Sequence, residues 1–452
     1  MRIAVLSLHT SPAAQPGQGD AGGLNVYAAA TSRRLAAMGH RVEVFTADPA
    51  TAGAAAPAEL GPGIRLHRLA STAGDKEALA ADLPRLAAQL AAHPAYGDCD
   101  AVWAHYWISG LAALEARALA PGAQPVAVGT AARPGTVAPA PLAVSFHTLA
   151  AVKERDTAGH REPARRLAAE ARLAREADLL VANTAAEARD LEGLLGAARR
   201  RTVIAPPGVD REVFRPGPVQ AARTAIGRAD ADLMVLCVGR MQHVKGTDLA
   251  IEALARLRAR DPQLAARVEL DMLGAGSGGP DTAAFERLAQ ATGVAGQLTV
   301  RAPVPAPVLA DWYRAADIVI VPSRSESFGF AAAEAQAAGA CVLASAVGGL
   351  VSVVDDGTTG RLVAQAEPEA WARELESLLR RPAERARLGA AAHRAAQRFD
   401  WGTCVQRVLD ALATATAAAA AAVTAAPLPA PGAARAAAAA QGARQDNREV
   451  AS

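Results

Sequence analysis

Short apolar runs of strand length, each followed by a stretch with helical periodicity, occur in two separate series along this chain. That alternation builds parallel α/β sheets, whose strands are covered on both faces and therefore read as unbroken apolar runs. In the first series, strands are expected at 3–8, 42–46, 101–104, 143–146 and 179–183, with an amphipathic helix over 25–38 ended by Gly39. The second series places strands at 233–238, 268–273, 298–300, 318–322 and 341–345, with a helix over 247–259. Prolines and a polar stretch at 206–232 separate the two. With 452 residues the chain is too long for one ordinary core. The pattern predicts two Rossmann-like, doubly wound domains facing a cleft, over 1–208 and 209–398, then a terminal helix over 399–414. Gly, Pro and Ala crowd 122–141, read as a surface insertion, and the alanine-rich end from 415 to 452 reads as a disordered tail. Ligands of such sheets bind at the carboxyl ends of the strands.

Charge narrows the function classes. The 47 basic and 45 acidic side chains nearly cancel, which argues against nucleic acid or an anionic membrane as the main partner. Cys99, Cys237, Cys341 and Cys404 form no CxxC pair, which fits a reducing cytoplasm. The first residues, MRIAVLSLHT, lack the features of a secretory signal. The uncharged stretch 411–434 is mostly alanine and threonine, too weakly apolar for a membrane span, and Pro427, Pro429 and Pro431 interrupt it.

Three segments carry chemistry. The first strand runs into the glycine-rich loop HTSPAAQPGQGDAGGLN at 9–25, where backbone amides and a helix N-terminus can meet an anion. Such loops are common, and this one is not a GxxxxGK[ST] loop. In the second half, Gly239-Arg-Met-Gln-His-Val-Lys-Gly246 sets Arg240 and Lys245 on one loop, able together to neutralise a diphosphate. Glu326-Ser-Phe-Gly-Phe-Ala-Ala-Ala-Glu334 then places one carboxylate on a loop and one in the next helix, both suited to accept hydrogen bonds from hydroxyls. A lone cation pair or two glutamates eight apart would be unremarkable. Their order after successive strands is what makes them a candidate site.

With these motifs the sequence resembles the family-4 retaining glycosyltransferases, through the paired glutamates, the GRxxxxKG loop and Pro206-Pro-Gly-Val-Asp210. More narrowly it resembles the inositol-phosphate glycosyltransferases that begin mycothiol biosynthesis. Residues 6–27 match their N-terminal signature, as do His105-Tyr-Trp-Ile-Ser-Gly110, His147-Thr-Leu-Ala-Ala-Val-Lys153 and Tyr313-Arg-Ala-Ala-Asp317. The resemblance runs from Met1 to about 411 and implies a GT-B fold. It implies UDP-N-acetylglucosamine as donor and 1D-myo-inositol 3-phosphate as acceptor. Arg240 and Lys245 would hold the diphosphate with Gly23, Glu334 the ribose, and Glu326 the transferred sugar together with Gln15 and Pro16. Val304 would lie next to the uracil and His147 beside the reacting sugar; Arg240, Lys245, His147 and Glu326 would form the catalytic set. His9 and Asp20, Ala21, Gly22, Gly23, Leu24 and Asn25 would touch the inositol, and Lys76, Tyr106, Thr148 and Arg166 its phosphate, with Arg165 as the alternative arginine.

Taken singly, Lys76 and Arg166 read as surface charges, Tyr106 and Thr148 as packing, and His147 as a satisfied core histidine. His67, His93 and His243 have no partner that spacing identifies and read as surface. No HExxH or clustered metal ligand is present in the sequence, so the chemistry is expected to need no cofactor. The resemblance implies a structural magnesium near Tyr313, Arg314, Ala316 and Ala340, and a homodimer. Two departures from the family pattern stand out: Val304, where a basic or polar residue is common, and Arg324, where a small polar or aromatic residue is usual. The rival readings are a related transferase with a lipid, polysaccharide or sugar-phosphate acceptor, and a sugar-nucleotide-binding protein without catalysis.

Overall fold

The computed structural model describes residues 1–17, 21–48, 57–73, 75–119, 139–157, 159–229, 232–275 and 282–424. An eight-stranded sheet is built from β1 (Arg2–Leu6), β2 (Arg41–Asp48), β3 (Ala58–Gly61), β4 (Ile64–Ala70), β5 (Ala101–His105), β6 (Leu142–Ser145), β7 (Leu179–Ala182) and β8 (Thr202–Ile204), in the order β3-β4-β2-β1-β5-β6-β7-β8. Only β3 runs antiparallel, against β4. A six-stranded parallel sheet follows, from β9 (Leu233–Val238), β10 (Val268–Leu273), β11 (Leu298–Arg301), β12 (Ile318–Val321), β13 (Val342–Ser345) and β14 (Arg361–Val363), in the order β11-β10-β9-β12-β13-β14. Helices cover both faces, so central strands such as β5, β6 and β12 are buried along their whole length.

In both sheets the strand order reverses beside the first strand, between β1 and β5 and between β9 and β12. A crevice opens at the carboxyl ends of strands at such a point. The loops after β1, β5, β6, β9 and β12 meet there, and they carry the motifs singled out in the sequence.

Two expectations are corrected. The terminal helix spans Trp401–Thr424, well past 414. Cys404, Val405, Val408 and Leu412 recur on one helical face and are buried with Ile3, Val5, Tyr27 and Trp103, so this helix crosses back onto the N-terminal sheet. Alanine has the highest helix propensity, which carries the helix into the segment read as tail. His67 is not on the surface: it is buried, stacks on Phe45 at 4.8 Å, and meets Glu43 Oε2 at 2.7 Å. The positions from 425 on, and all of 122–141 but its last three residues, lie outside the described residues.

Candidate active site

A cleft of about 1470 Å³ separates the two sheets. From the N-terminal half, His9, Gln15, Pro16, Gly22, Gly23, Leu24, Asn25, Lys76, Tyr106, His147 and Thr148 line it. Arg240, Lys245, Val304, Glu326 and Glu334 line it from the C-terminal half. Residues far apart in sequence thus converge as expected. Ala21 and Arg166 do not reach the wall, and Asp20 lies outside the described residues. Ala21 is buried, and its carbonyl accepts the Gly17 amide at 2.8 Å.

The glycine-rich loop is braced from within. Buried Asn25, in the helix Gly23–Ala37, accepts the Gly22 amide at 2.9 Å, and its Nδ2 donates to Thr10 Oγ1 at 2.9 Å and to the Ser11 carbonyl at 2.5 Å. Those bonds shape the loop rather than leave the amide for a ligand. Gln15 Nε2 reaches across the cleft to the Val304 carbonyl at 3.2 Å. A Cβ on Gly23 would meet the Phe330 ring at 3.0 Å, a tight contact that would push that side chain back by a few tenths of an ångström.

Tyr106 follows β5 directly and His147 lies two residues past β6, and both have left-handed backbones, with φ of 75° and 62°. Bulky residues rarely adopt that region, and holding one there costs about 1–3 kcal/mol. The strain turns both side chains into the cleft. The His9 and Tyr106 rings lie 4.6 Å apart, and the Arg166 guanidinium sits 5.0 Å from the centre of the Tyr106 ring. Arg166, expected as a surface charge, is 2% exposed. It donates from Nε to Glu170 at 2.7 Å, from Nη1 to Glu162 at 2.8 Å, and from Nη2 to the Thr148 carbonyl and Oγ1 at 2.8 and 3.0 Å. The alternative, Arg165, is exposed and pairs with Glu77 beside Lys76.

Three buried histidines of this half, His9, His105 and His147, are shifted towards the neutral form. Burial, with the charges of Arg240, Lys76 and Arg166, lowers His9 to about 3, and its Nδ1 is enclosed without a partner. Burial and His9 bring His147 to about 3 as well. His147 Nε2 lies 3.0 Å from His105 Nδ1, and burial holds His105 well below its usual range. Only Nδ1 of His147 is left for a ligand.

In the C-terminal half the two motif loops touch. Lys245 Nζ donates to Glu326 Oε2 at 2.6 Å, and Ser323 Oγ reaches the same oxygen at 3.3 Å. Gly246 has φ of 68°, and a Cβ there would collide with the Pro322 carbonyl, which is why glycine ends the loop. Glu334, in the helix Phe330–Ala337, accepts from the Tyr313 hydroxyl at 3.1 Å. Burial raises its carboxyl to about 7, partly offset by that bond.

The positions implied for magnesium do not fit a divalent ion through their side chains. The Tyr313 hydroxyl is spent on Glu334. Arg314 brings a positive charge, committed to the Arg215 and Val213 carbonyls and to Asp311. Ala316 and Ala340 offer main chain only. Among the described residues, no group of three or more His, Cys, Asp or Glu could hold a metal.

Among the wall residues that sequence reasoning missed, two are charged groups held in place by neighbours. Lys153 lines the cleft with its Nζ 2.6 Å from Glu162 Oε1, and only its place five residues after Thr148 hinted at this. Glu187 is buried at the cleft, and burial raises its carboxyl to about 7. Its signal was the spacing Thr184-x-x-Glu187 of a helix N-cap, in which its amide donates to Thr184 Oγ1 at 3.1 Å while its carboxylate accepts the Asn183 amide at 2.8 Å.

The family model for glycosyl transferases group 1 matches residues 219–395, and that for glycosyltransferase family 4 matches 21–213. The D-inositol 3-phosphate glycosyltransferase of Geodermatophilus obscurus is 42% identical over 92% of this chain and 88% of that protein. The chain belongs to this family of glycosyltransferases. The protein of the same name from Kribbella flavida is 41% identical over 92% of this chain and 96% of its own length. Sucrose-phosphate synthase from Thermosynechococcus elongatus superposes on this glycosyltransferase with a TM-score of 0.79 at 27% identity, covering 92% of this chain and 99% of that one. The architecture is GT-B. Among the described residues, no helix is long and apolar enough to cross a membrane.

Proposed function

We propose that this glycosyltransferase moves N-acetylglucosamine from UDP-N-acetylglucosamine to 1D-myo-inositol 3-phosphate with retention of configuration, the first step of mycothiol biosynthesis. One observation carries the reading: His9, Lys76, Tyr106 and Thr148 line the N-terminal wall of the cleft, with Arg166 directly behind Tyr106, while Arg240 and Lys245 line the opposite wall. Lys76, Tyr106 and Thr148, drawn from distant parts of the chain and suited to a phosphate, meet on one wall, backed by the buried charge of Arg166. The names of the relatives from Geodermatophilus obscurus and Kribbella flavida support inositol 3-phosphate as the acceptor.

Under this reading, Arg240 and Lys245 neutralise the departing diphosphate. The Lys245 ammonium has three protons, so it can keep its bond to Glu326 and still donate to phosphate oxygens. Glu326 then accepts from the sugar through its other oxygen, and Glu334 holds the ribose. The acceptor oxygen bonds to the anomeric carbon on the face where the bond to UDP breaks, its proton passing to the departing diphosphate oxygen, near His147. A double displacement needs a protein nucleophile, and none is assigned. Preorganised cations in a closed cleft supply the charge stabilisation, and no step runs through a metal. The four buried, unpaired thiols fit a cytoplasmic place. A homodimer is proposed from the family resemblance, and sedimentation would test it.

The reading is tested by supplying UDP-N-acetylglucosamine with inositol 3-phosphate or plain inositol, and following UDP release and product mass. Turnover with the phosphorylated acceptor, and little with inositol, is expected. Equal turnover with both, or none with either, would reject the acceptor assignment.

A further inference from the structure

Arg324, two residues before the first glutamate of the motif, departs from the family pattern, and nothing in the proposed chemistry uses it. It does not line the cleft, yet it ties together the two loops that do. Its amide donates to the Val244 carbonyl at 2.9 Å. Its Nη1 donates to the His243 carbonyl at 2.6 Å and to Asp248 Oδ1 at 2.8 Å, and its Nη2 to Asp248 Oδ2 at 2.7 Å. The pairing with Asp248 is a planar fork on both oxygens, the geometry that gives arginine its directional hold on a carboxylate. Asp248 stands in the first turn of the helix Thr247–Arg260, where a carboxylate is favoured, so the fork anchors on a rigid element.

We infer that Arg324 is a positioning residue for the leaving group: clamped to Asp248 and to the His243 carbonyl, it fixes Lys245 against Glu326. The clamp brackets Lys245 on both sides, at His243–Val244 before it and at Asp248 after it. The intervening segment is a single 3-10 turn, His243–Lys245, closed by Gly246. A turn that short has little structure of its own, and without an outside hold the Lys245 ammonium would sample positions away from the diphosphate. Lysine in the place of Arg324 would keep the charge and lose the fork.

The inference rests on the reading that the loop carrying Arg240 and Lys245 holds the diphosphate, and the test separates the two. UDP affinity is measured by titration calorimetry, with the kinetic constants for donor and acceptor, in R324A, R324K, D248N and K245A. Loss of the fork should weaken UDP and raise the donor KM by about tenfold, as loss of a charge-assisted bond does. R324A and D248N should behave alike, R324K should recover only part of the loss, and the acceptor KM should stay within about twofold at an unchanged melting temperature. Normal UDP affinity in R324A alongside a crippled K245A would overturn the clamp and leave the loop's role standing. Normal behaviour of K245A would instead remove the reading of the loop itself. An equal rise in both KM values with a lowered melting temperature would make Arg324 a general structural brace and also overturn the inference.

Discussion

Arg166 in the N-terminal half is 2% exposed and spends its guanidinium on two carboxylates and on Thr148, whereas Lys245 in the C-terminal half is 27% exposed and makes a single ion pair, with Glu326. Lys245 lines the cleft on a loop, whereas Arg166 lies behind the opposite wall and is part of its packing. Burial explains the contrast. A cation taken out of water must be fully paired, so Arg166 arrives with Glu162 and Glu170 in place. Glu162 also serves Lys153 and His160; burial pushes its carboxyl up, but Arg166, His160 and Lys153 outweigh that and hold it at about 2. The N-terminal wall is thus preorganised before any ligand arrives. The C-terminal wall keeps its cations where a charged leaving group can be received and released.

The difference can be broken by substitution, and the largest effect belongs to the buried side. Replacing Arg166 with Met leaves Glu170 buried without its ion-pair partner and Glu162 with only Lys153 and His160, and should cost about 3–5 kcal/mol of stability, read by urea denaturation. A variant as stable as the parent would show that the buried cluster is not held as described. Lys245→Ala should do the reverse: an unchanged melting temperature, but a kcat lower by roughly a hundredfold, as loss of a transition-state charge contact commonly gives. Lys76 heads the short helix Lys76–Ala81 and is exposed. Lys76→Met should therefore leave stability alone and raise the KM for inositol 3-phosphate about tenfold, with the donor KM unmoved.

The smallest effect is on the slope of stability with pH, where two kinds of group oppose each other. His9 and His147 are held near 3 in the fold, so the unfolded chain takes up protons first as pH falls below 6.5. Their contribution is present above that value and is lost on acidification, at most about 1.4 kcal/mol per pH unit for each. Glu334 is raised to about 7, so the folded state holds a proton that the unfolded state releases above 4.5. Its contribution is present below that value and is lost as pH rises towards 7. Thermal melts of His147→Asn and Glu334→Gln should therefore flatten opposite limbs of the curve, and a matching change on one limb would contradict this.

How much of this was legible in the sequence follows the same division. The expected strands at 233–238 and 268–273 coincide with β9 and β10, because a strand covered on both faces is an uninterrupted apolar run. β4, reading IRLHRLA, was missed, since its arginines and histidine mask a strand whose His67 is satisfied only by Glu43 on β2. β8 and β14 are three residues each, and neighbouring strands define them more than their own composition does. The C-terminal motifs sit on loops after successive strands and at the start of the helix Phe330–Ala337, so their order along the chain already gave their place. In the N-terminal half the wall is assembled by long-range packing, and a charged residue such as Arg166 looks like surface until its flanking Glu162 and Glu170 are seen to face it.

The most direct test of a cleft with separate phosphate-binding ends is the ratio of kcat/KM for inositol 3-phosphate to that for inositol, in the parent protein, Lys76→Met and Lys245→Ala. The expected result is a large ratio in the parent, a ratio reduced about tenfold in Lys76→Met, and a ratio preserved in Lys245→Ala despite its slow turnover. A ratio left intact by Lys76→Met, or lost in Lys245→Ala, would contradict the division of the cleft into an acceptor end and a donor end.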